Sequence, residues 1–171
     1  MRPRTPIALL SLLVACVKPP EVHQAAQPTD VAVVYALGSY RSDAIRPMPD
    51  SVQEEVQAEL EARNLRPAIL PAPEAFATVR VPVDRLSLVS GATAPVLLVS
   101  CDPRYDTQVN ERFRWTVPCD VALGAERVHF EPSAHLVYYH QDEADAVAEV
   151  HALIARQVAR VLDRWLVSQG Q

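Results

Sequence analysis

The sequence predicts an α/β (α+β) fold: a two-layer mixed β-sheet of about four to five strands, with helices packed on one face and a long C-terminal helix. Two continuous apolar runs, residues 31–37 and 96–99, are typical of strands buried on both faces. Residues 112–123 alternate apolar and polar side chains, as a half-exposed strand does, and residues 142–167 place apolar side chains at helical spacing. A chain of 171 residues is long enough for one domain with a substantial core.

The amino-terminal stretch has the pattern of an export signal. Arg2 and Arg4 make it basic, and an apolar run over residues 7–14 leads into the tetrapeptide Leu-Val-Ala-Cys16. That run is too short to span a bilayer, which takes about 20 apolar residues, so residues 1–15 are predicted to be a signal peptide. The alternative is an ordinary cleaved signal with an incidental cysteine.

The tetrapeptide ending in Cys16 resembles the lipobox of bacterial lipoproteins. The resemblance implies a diacylglycerol on the Cys16 sulfur, cleavage after Ala15 and a further fatty acyl group, such as palmitate, on the new amino terminus. Several acyl chains together anchor a protein durably to a membrane. Residues 16–30, rich in Pro, Gln and Ala, then read as a short tether, and residues 31–171 as a single α/β domain.

The first half of this domain has a strand and a helix with clear patterns. Residues 31–37 predict a first central strand, which ends at Gly38. Ser51-Val-Gln-Glu54 matches a capping box, which marks the start of a helix. The stripe of the predicted surface helix consists of Val52, Val56 and Leu60.

The middle of the chain is rich in proline and its pattern is weaker. Residues 65–70 contain Pro67 and therefore predict at most an edge strand. One or two helical turns are expected within residues 74–81, and a further helix within residues 83–89. Residues 96–99 predict the second central strand.

The alternating segment at residues 112–123 predicts one long strand with the core on one side. Pro118 cannot donate a ladder hydrogen bond, so we expect a bend or an edge position there. A turn at Gly124 leads into strands at residues 127–130 and 134–139. In the helix at residues 142–167, the apolar face consists of Val147, Val150, Ile154, Val158, Val161 and Trp165.

Two cysteines remain besides Cys16, and in an exported chain Cys101 and Cys119 are expected to form a disulfide. The strand pattern competes with this expectation. If residues 102–111 were a loop and Cys101 lay near Arg112, Cys119 would be far beyond the roughly 7 Å between Cα atoms that a disulfide allows. A disulfide would require Cys101 opposite Cys119, or a bulge at Pro118. The alternative is two separate buried thiols.

Charge and motifs narrow the function classes. Removing the signal peptide leaves 14 of the 16 basic residues against 21 acidic ones, a net charge of about −7, which disfavours nucleic acid as a partner. No phosphate-binding loop or nucleophile elbow occurs, so we predict no catalytic, cofactor-binding or metal-binding residues and no cofactor. The alternative is a small periplasmic hydrolase or a ligand-binding or metal-binding lipoprotein that uses the region from His135 to Glu143, with His140, Asp142 and His151 as the other candidates.

Two segments resemble the TolB N-terminal type of α/β domain. Residues 86–99 resemble its helix followed by Gly-Ala-x-x-Val-Leu and a central strand, and residues 112–124 resemble its next strand, which ends in an Asp-x-x-x-Gly turn. Envelope lipoproteins share this domain: the curli secretion lipoprotein, lipoprotein activators of penicillin-binding proteins, and ABC-transport auxiliary lipoproteins. The resemblance implies a docking domain that acts through partner surfaces.

We therefore expect a membrane-anchored envelope lipoprotein with a non-catalytic domain that docks an assembly or transport partner. Its membrane contact would be the lipid on Cys16. Arg112 and Arg114, on the outward face of the long strand, are the candidate partner surface. In a host with two membranes, Val17 rather than an aspartate after the cysteine favours the outer membrane, facing the periplasm.

Overall fold

The computed structural model describes residues 22–39, 42–77, 85, 88–89, 92–109, 112–137 and 141–170. The predicted fold class is confirmed: a mixed β-sheet carries helices on one face, and a long helix ends the chain. In chain order the strands are β1 (Thr29–Ser39), β2 (Ser42–Arg46), β3 (Leu65–Leu70), β4 (Val96–Cys101), β5 (Arg104–Val109), β6 (Arg112–Thr116), β7 (Cys119–Leu123), β8 (Glu126–Phe130) and β9 (Ser133–Val137). The helices are α1 (Asp50–Glu61) and α2 (Gln141–Ser168), and a short 3-10 helix covers Glu74–Ala77.

The main sheet is organised around β1, as its uninterrupted apolar sequence predicts. It has six strands in the order β2-β1-β4-β7-β8, with β3 also paired to β1. β4 runs parallel to β1 on one side. On the other side β3 pairs in parallel with the first half of β1, and β2 pairs antiparallel with its end. As expected, residues 65–70 form an edge strand.

Both helices cover the same face of this sheet. The predicted α1 stripe is buried there, and in α2 Ile154, Val158 and Val161 are buried as well. They contact the side chains of β1, β4 and β7 that point to this side, including Val33, Val99 and Val121. Full burial of one such side chain is worth about 1.5–3 kcal/mol, so this layer is the main stabilising core.

The start of α1 differs from the prediction. The helix begins at Asp50 after Pro49, and no side chain caps it. Ser51 lies inside the first turn, so its hydroxyl cannot reach the orphan N–H groups in the way a capping residue does. The carbonyl of Pro49 accepts hydrogen bonds from the N–H groups of Val52 and Gln53 instead. The capping box was therefore a wrong interpretation of a correctly located helix.

The opposite face of the sheet has a smaller core. Phe76, from the 3-10 helix, is fully buried against Val34, Ala36 and Leu98. Of the helical turns expected within residues 74–81, the part that the structure describes is this 3-10 helix. The helix predicted within residues 83–89 falls mostly outside the described residues.

Three neighbouring strands bend at prolines and continue into a second sheet. Pro103 separates β4 from β5, Pro118 separates β6 from β7, and Pro132 separates β8 from β9. β5, β6 and β9 pair as a three-stranded sheet. Neighbouring segments stay hydrogen-bonded to each other at the bends. The carbonyl of Pro118 accepts a hydrogen bond from the N–H of Asp102, and the carbonyl of Pro132 accepts one from the N–H of Val117, both at 2.9 Å.

These bends correct two predictions. The expected loop over residues 102–111 contains a strand, β5, and the single strand expected over residues 112–123 is two strands, β6 and β7. The expected bend at Pro118 is present. A proline has no N–H to donate to a ladder, which favours a break, and each of these three strands leaves the main sheet where its proline occurs.

The added strand also decides the cysteine pairing. β4 and β5 together form one long arm of a hairpin with β6 and β7, and the resulting register places Cys101 opposite Cys119. Their Cα atoms are 4.1 Å apart and their Sγ atoms are bonded. The disulfide is therefore formed, and the register that placed Cys101 near Arg112 was wrong. Cys16 lies outside the described residues.

Candidate functional site

The predicted partner residues lie in the second sheet. Arg112 and Arg114 are in β6, two positions apart and therefore on one face of that strand. Their cross-strand neighbours in β9 are Val137 and His135. The candidate surface and the first histidine of the alternative hypothesis thus share one small sheet, which the sequence pattern did not indicate.

The residues of the alternative hypothesis are divided between elements. His140 lies outside the described residues, and Asp142 and Glu143 belong to the first turn of α2. His151 faces α1, where its Nδ1 lies 3.0 Å from the hydroxyl of Ser51. Across the described part of the chain, no group of three or more His, Cys, Asp or Glu residues could hold a metal ion.

The Ser51–His151 pair is a hydroxyl–imidazole contact at the junction of the two helices. Burial lowers the pKa of His151, and the charge of Glu55 opposes that effect. The imidazole is therefore favoured in its neutral form, which in one tautomer can accept a hydrogen bond at Nδ1 from the Ser51 hydroxyl. Such a pair can assist a nucleophile or simply join two helices.

A pocket lies at a break in the edge of the main sheet. β3 covers the edge of β1 as far as Val34, and β2 begins to cover it at Leu37. Among the described residues, no strand residue lies opposite Tyr35 or Ala36 on that edge. The pocket at this break has a volume of about 510 Å³. Its wall consists mainly of apolar side chains and prolines: Ile45, Pro47, Met48, Ile69, Leu70, Pro71, Ala72, Pro73 and Ala77.

Four polar side chains also line the pocket: Tyr35, Arg46, Gln53 and Glu74. Tyr35 is only 8% exposed, and its hydroxyl has no hydrogen-bond partner among the described residues. Burial raises the pKa of Tyr35 to about 12, so the hydroxyl stays neutral and can donate a hydrogen bond. The amide of Gln53 already donates to the carbonyl of Met48 at 2.7 Å.

No pattern in the sequence indicates this pocket. Tyr35 was interpreted as part of a strand buried on both faces, and neither Arg46 nor Glu74 was a candidate site residue. The one signal in the sequence was the hydroxyl group of Tyr35, a polar group within the otherwise apolar run of residues 31–37. The pocket depends on two distant segments that pair with the same edge of β1, and no local pattern reports such an arrangement.

A second polar cluster lies on the sheet face opposite the helices. Arg85 is buried and donates to both carboxylate oxygens of Asp102 at 3.1 and 3.2 Å, and to the hydroxyl of Ser100 at 2.6 Å. In the next strands Asp120 lies opposite Ser100, and its carboxylate is 3.2 Å from Nδ1 of His129. Serine, aspartate and histidine thus share a row, but the aspartate lies between the other two. His129 faces the carboxylate of Asp120 and not the Ser100 hydroxyl, so the row lacks the order of a nucleophilic triad.

Comparison with known proteins gives weak structural similarity. No protein-family model and no curated protein sequence matches the chain. A minor lipoprotein from Acinetobacter baumannii is similar at 12% identity and a TM-score of 0.39, over 78% of this chain and 92% of that one. A hypothetical protein from Chlamydia trachomatis is similar at 11% identity and a TM-score of 0.44, over 82% and 99% of the two chains. An uncharacterised protein reaches 7% identity, a TM-score of 0.35, and coverage of 81% and 93%.

These similarities are too weak to assign a family or a function. The resemblance to the TolB N-terminal type therefore stays a prediction. In the part of the chain that the structure describes, no helix combines the length and apolar character needed to cross a membrane.

Proposed function

We propose that this chain is an envelope lipoprotein, held at a membrane by lipid on Cys16, whose α/β domain is a non-catalytic docking module for an assembly or transport complex. The observation that carries the proposal is the export signal that ends in Leu-Val-Ala-Cys16. The Cys101–Cys119 disulfide supports it, because disulfides persist in oxidising compartments such as the bacterial periplasm.

The point at which the tether joins the domain determines which end of the domain would face the membrane. Just before β1, the N–H of Ala25 donates to the carbonyl of Arg63, and the side chain of Gln24 donates to the carbonyl of Ala62. The side-chain amide of Asn64 returns a hydrogen bond to the carbonyl of Ala25 at 3.0 Å. The tether thus joins the domain at the end of the sheet where β1 and β3 begin.

The second sheet lies at the other end. β4 runs parallel to β1, and β5 continues from its far end after Pro103. Nine peptide units separate Cys16 from Ala25, which reach at most about 30 Å. A lipid on Cys16 would therefore keep the starting end of β1 near the membrane and present β5, β6 and β9 away from it. This direction favours Arg112 and Arg114 as a surface for a partner in the periplasm.

In a host with two membranes, we place the anchor in the outer membrane with the domain in the periplasm. The reason is the residue that follows the lipidated cysteine, Val17, where an aspartate would favour retention in the inner membrane.

The anchor is tested by metabolic labelling with an alkyne analogue of palmitate. The wild-type chain should incorporate the label and fractionate with membranes, and Cys16→Ser should do neither. A Cys101→Ala/Cys119→Ala double variant is the matched control, because it removes the other two cysteines and should keep the label. An unlabelled wild-type chain would exclude the lipoprotein assignment.

The docking surface is tested by photocrosslinking in intact cells. A photoreactive amino acid is placed at position 112 or 114 in the second sheet, or at position 125 in the β7–β8 turn at the tether end. We expect a discrete adduct from positions 112 and 114 only, which the charge reversal of the neighbouring arginine abolishes. Adducts from position 125 alone would show that the partner binds at the tether end of the domain and would contradict the proposed docking surface.

A second candidate function is hydrolysis, favoured by the hydrogen bond between Ser51 and His151. Ser51→Ala and His151→Ala should then both abolish turnover of a chromogenic acyl ester by the purified chain, and Ser168→Ala should not. Turnover that survives either substitution would remove this candidate.

A further inference from the structure

We propose that the pocket at the break in the edge of β1 binds a short apolar peptide with free termini, about two or three residues long. The proposal does not depend on the lipid anchor, since every residue that carries it lies within the described domain.

The first step is the shape of the break. β3 pairs with β1 up to Val34 and β2 pairs from Leu37, so two positions of β1 lack a strand partner on this edge. Pro47 follows β2, and Pro71 follows β3. Neither proline has an N–H to donate, and both flanking strands end immediately before their proline. The space is left for an extended segment of matching length, which adds a strand as many bound peptides do.

The second step is the floor of the pocket. Tyr35 is buried, lines the pocket, and makes no hydrogen bond from its hydroxyl to any described residue. The hydroxyl can therefore donate a hydrogen bond to an acceptor that enters the pocket. A peptide carries carbonyl acceptors along its whole length. An apolar ligand without an acceptor would leave the hydroxyl as it is.

The third step is the apolar wall. Ile69 is 59% exposed, and it lies in the pocket wall beside Leu70 and Met48. Large aliphatic side chains that remain open to solvent within a concave site favour an apolar occupant. This argues for apolar rather than polar peptide side chains.

The fourth step is the charge. Arg46 ends β2, Glu74 begins the 3-10 helix that contacts β2, and both line the pocket, so it carries one positive and one negative side chain. They form no ion pair with each other or with another described residue. Arg46 can bind a terminal carboxylate and Glu74 a terminal ammonium. A fatty acid would satisfy only Arg46, so the pair of charges favours the peptide.

The test is isothermal titration calorimetry of the full-length chain in lipid nanodiscs, with the tripeptide Leu-Leu-Leu as the probe. Four ligands are compared: the free peptide, its N-acetylated form, its C-terminal amide, and decanoate. We expect the free peptide to bind best and each blocked terminus to weaken binding about tenfold, the effect of losing one charge-assisted hydrogen bond.

Variants identify which group reads which part of the peptide. Tyr35→Phe keeps the ring and removes the hydroxyl, and should weaken all peptides about tenfold. Arg46→Gln should lower the affinity for the free peptide and leave the affinity for the C-terminal amide unchanged. Glu74→Gln should lower the affinity for the free peptide and leave the affinity for the N-acetylated peptide unchanged. Arg66→Gln is the control, because Arg66 pairs with Asp30 outside the pocket.

The proposal is overturned by any of three results: no binding at millimolar peptide, equal affinity for free and blocked peptides, or tighter binding of decanoate than of the free peptide. A response of Arg66→Gln equal to that of Arg46→Gln would also overturn it, since a general loss of positive charge would then explain the effect.

Discussion

Arg63 at the end of α1 and Asp163 in α2 join the two helices through two hydrogen bonds, from Nε to Oδ1 at 2.8 Å and from Nη2 to Oδ2 at 3.1 Å. Arg63 is only 3% exposed, and Glu59, one helical turn earlier, binds the same guanidinium. Burial lowers the pKa of Arg63, but the hydrogen bonds and charges of Asp163 and Glu59 outweigh it and hold the pKa above its ordinary value. The buried guanidinium therefore stays positively charged and is paired with two carboxylates where the helices meet.

Replacing Asp163 should show what this contact contributes. Asp163→Asn leaves a buried guanidinium with one carboxylate, and should lower the free energy of unfolding by about 2–3 kcal/mol, less than a fully buried pair because Asp163 is 29% exposed. Urea unfolding followed by circular dichroism measures the change. Asp30→Asn is the matched control: its partner Arg66 is exposed, and the loss should stay below about 1 kcal/mol. Equal effects at the two sites would contradict the assignment.

Reduction should weaken the domain through the Cys101–Cys119 disulfide. The two cysteines are 18 positions apart, and closing a loop of that size in the unfolded chain is worth about 3 kcal/mol. Urea unfolding with and without dithiothreitol should show this difference for the wild-type chain and none for the Cys101→Ala/Cys119→Ala variant. A midpoint for the wild-type chain that ignores the reductant would show that the bridge adds no stability.

Gly38 should not tolerate alanine. A Cβ atom at this position would overlap the carboxylate of Asp102, which Arg85 holds in place. Gly38→Ala should therefore lower the free energy of unfolding by about 1–3 kcal/mol, the usual cost of overpacking. Without the overlap, the same change would raise it by up to about 1 kcal/mol, because alanine restricts the unfolded chain. The sign of the measured change decides between the two.

His151 should make the fold less stable in mild acid. Its pKa is lowered in the folded state, so the unfolded chain takes up a proton more readily. The stability it contributes is complete above the unfolded pKa of about 6.5 and is lost as the pH falls from there through the lower folded pKa. The free energy of unfolding, measured between these limits, should fall less steeply in His151→Gln than in the wild-type chain. Parallel pH profiles would show that His151 is not the group responsible.

Local patterns predicted the elements whose environment is uniform along their length. β1 is covered on both faces, so its sequence is continuously apolar, and α2 buries one stripe whose spacing can be counted directly. The bend at Pro118 also follows from local chemistry, since no neighbour can restore the missing N–H. Each of these conclusions requires only the residue and its near neighbours in sequence.

Pairing across the chain was different. The hairpin arm after Cys101 continues into β5, and Asp102 keeps it bonded to the carbonyl of Pro118 in the adjacent segment, which no single segment reveals. That continuation set the register and with it the disulfide. The capping box failed for a related reason: Ser51 found a partner 100 positions away, in His151, in place of its own helix start.

The amino-acid order was thus sufficient for the fold class, the two helices, the central strands and the expectation of export, because these depend on composition and on short-range periodicity. The pocket at Tyr35, the polar cluster around Arg85 and the placement of the second sheet at the end of the main sheet away from the start of β1 came from the folded chain. They exist because strands that are far apart in sequence pair along one edge or lie on one face of the sheet. The free energy of that pairing is a sum over long-range contacts, and local sequence patterns carry no information about those contacts.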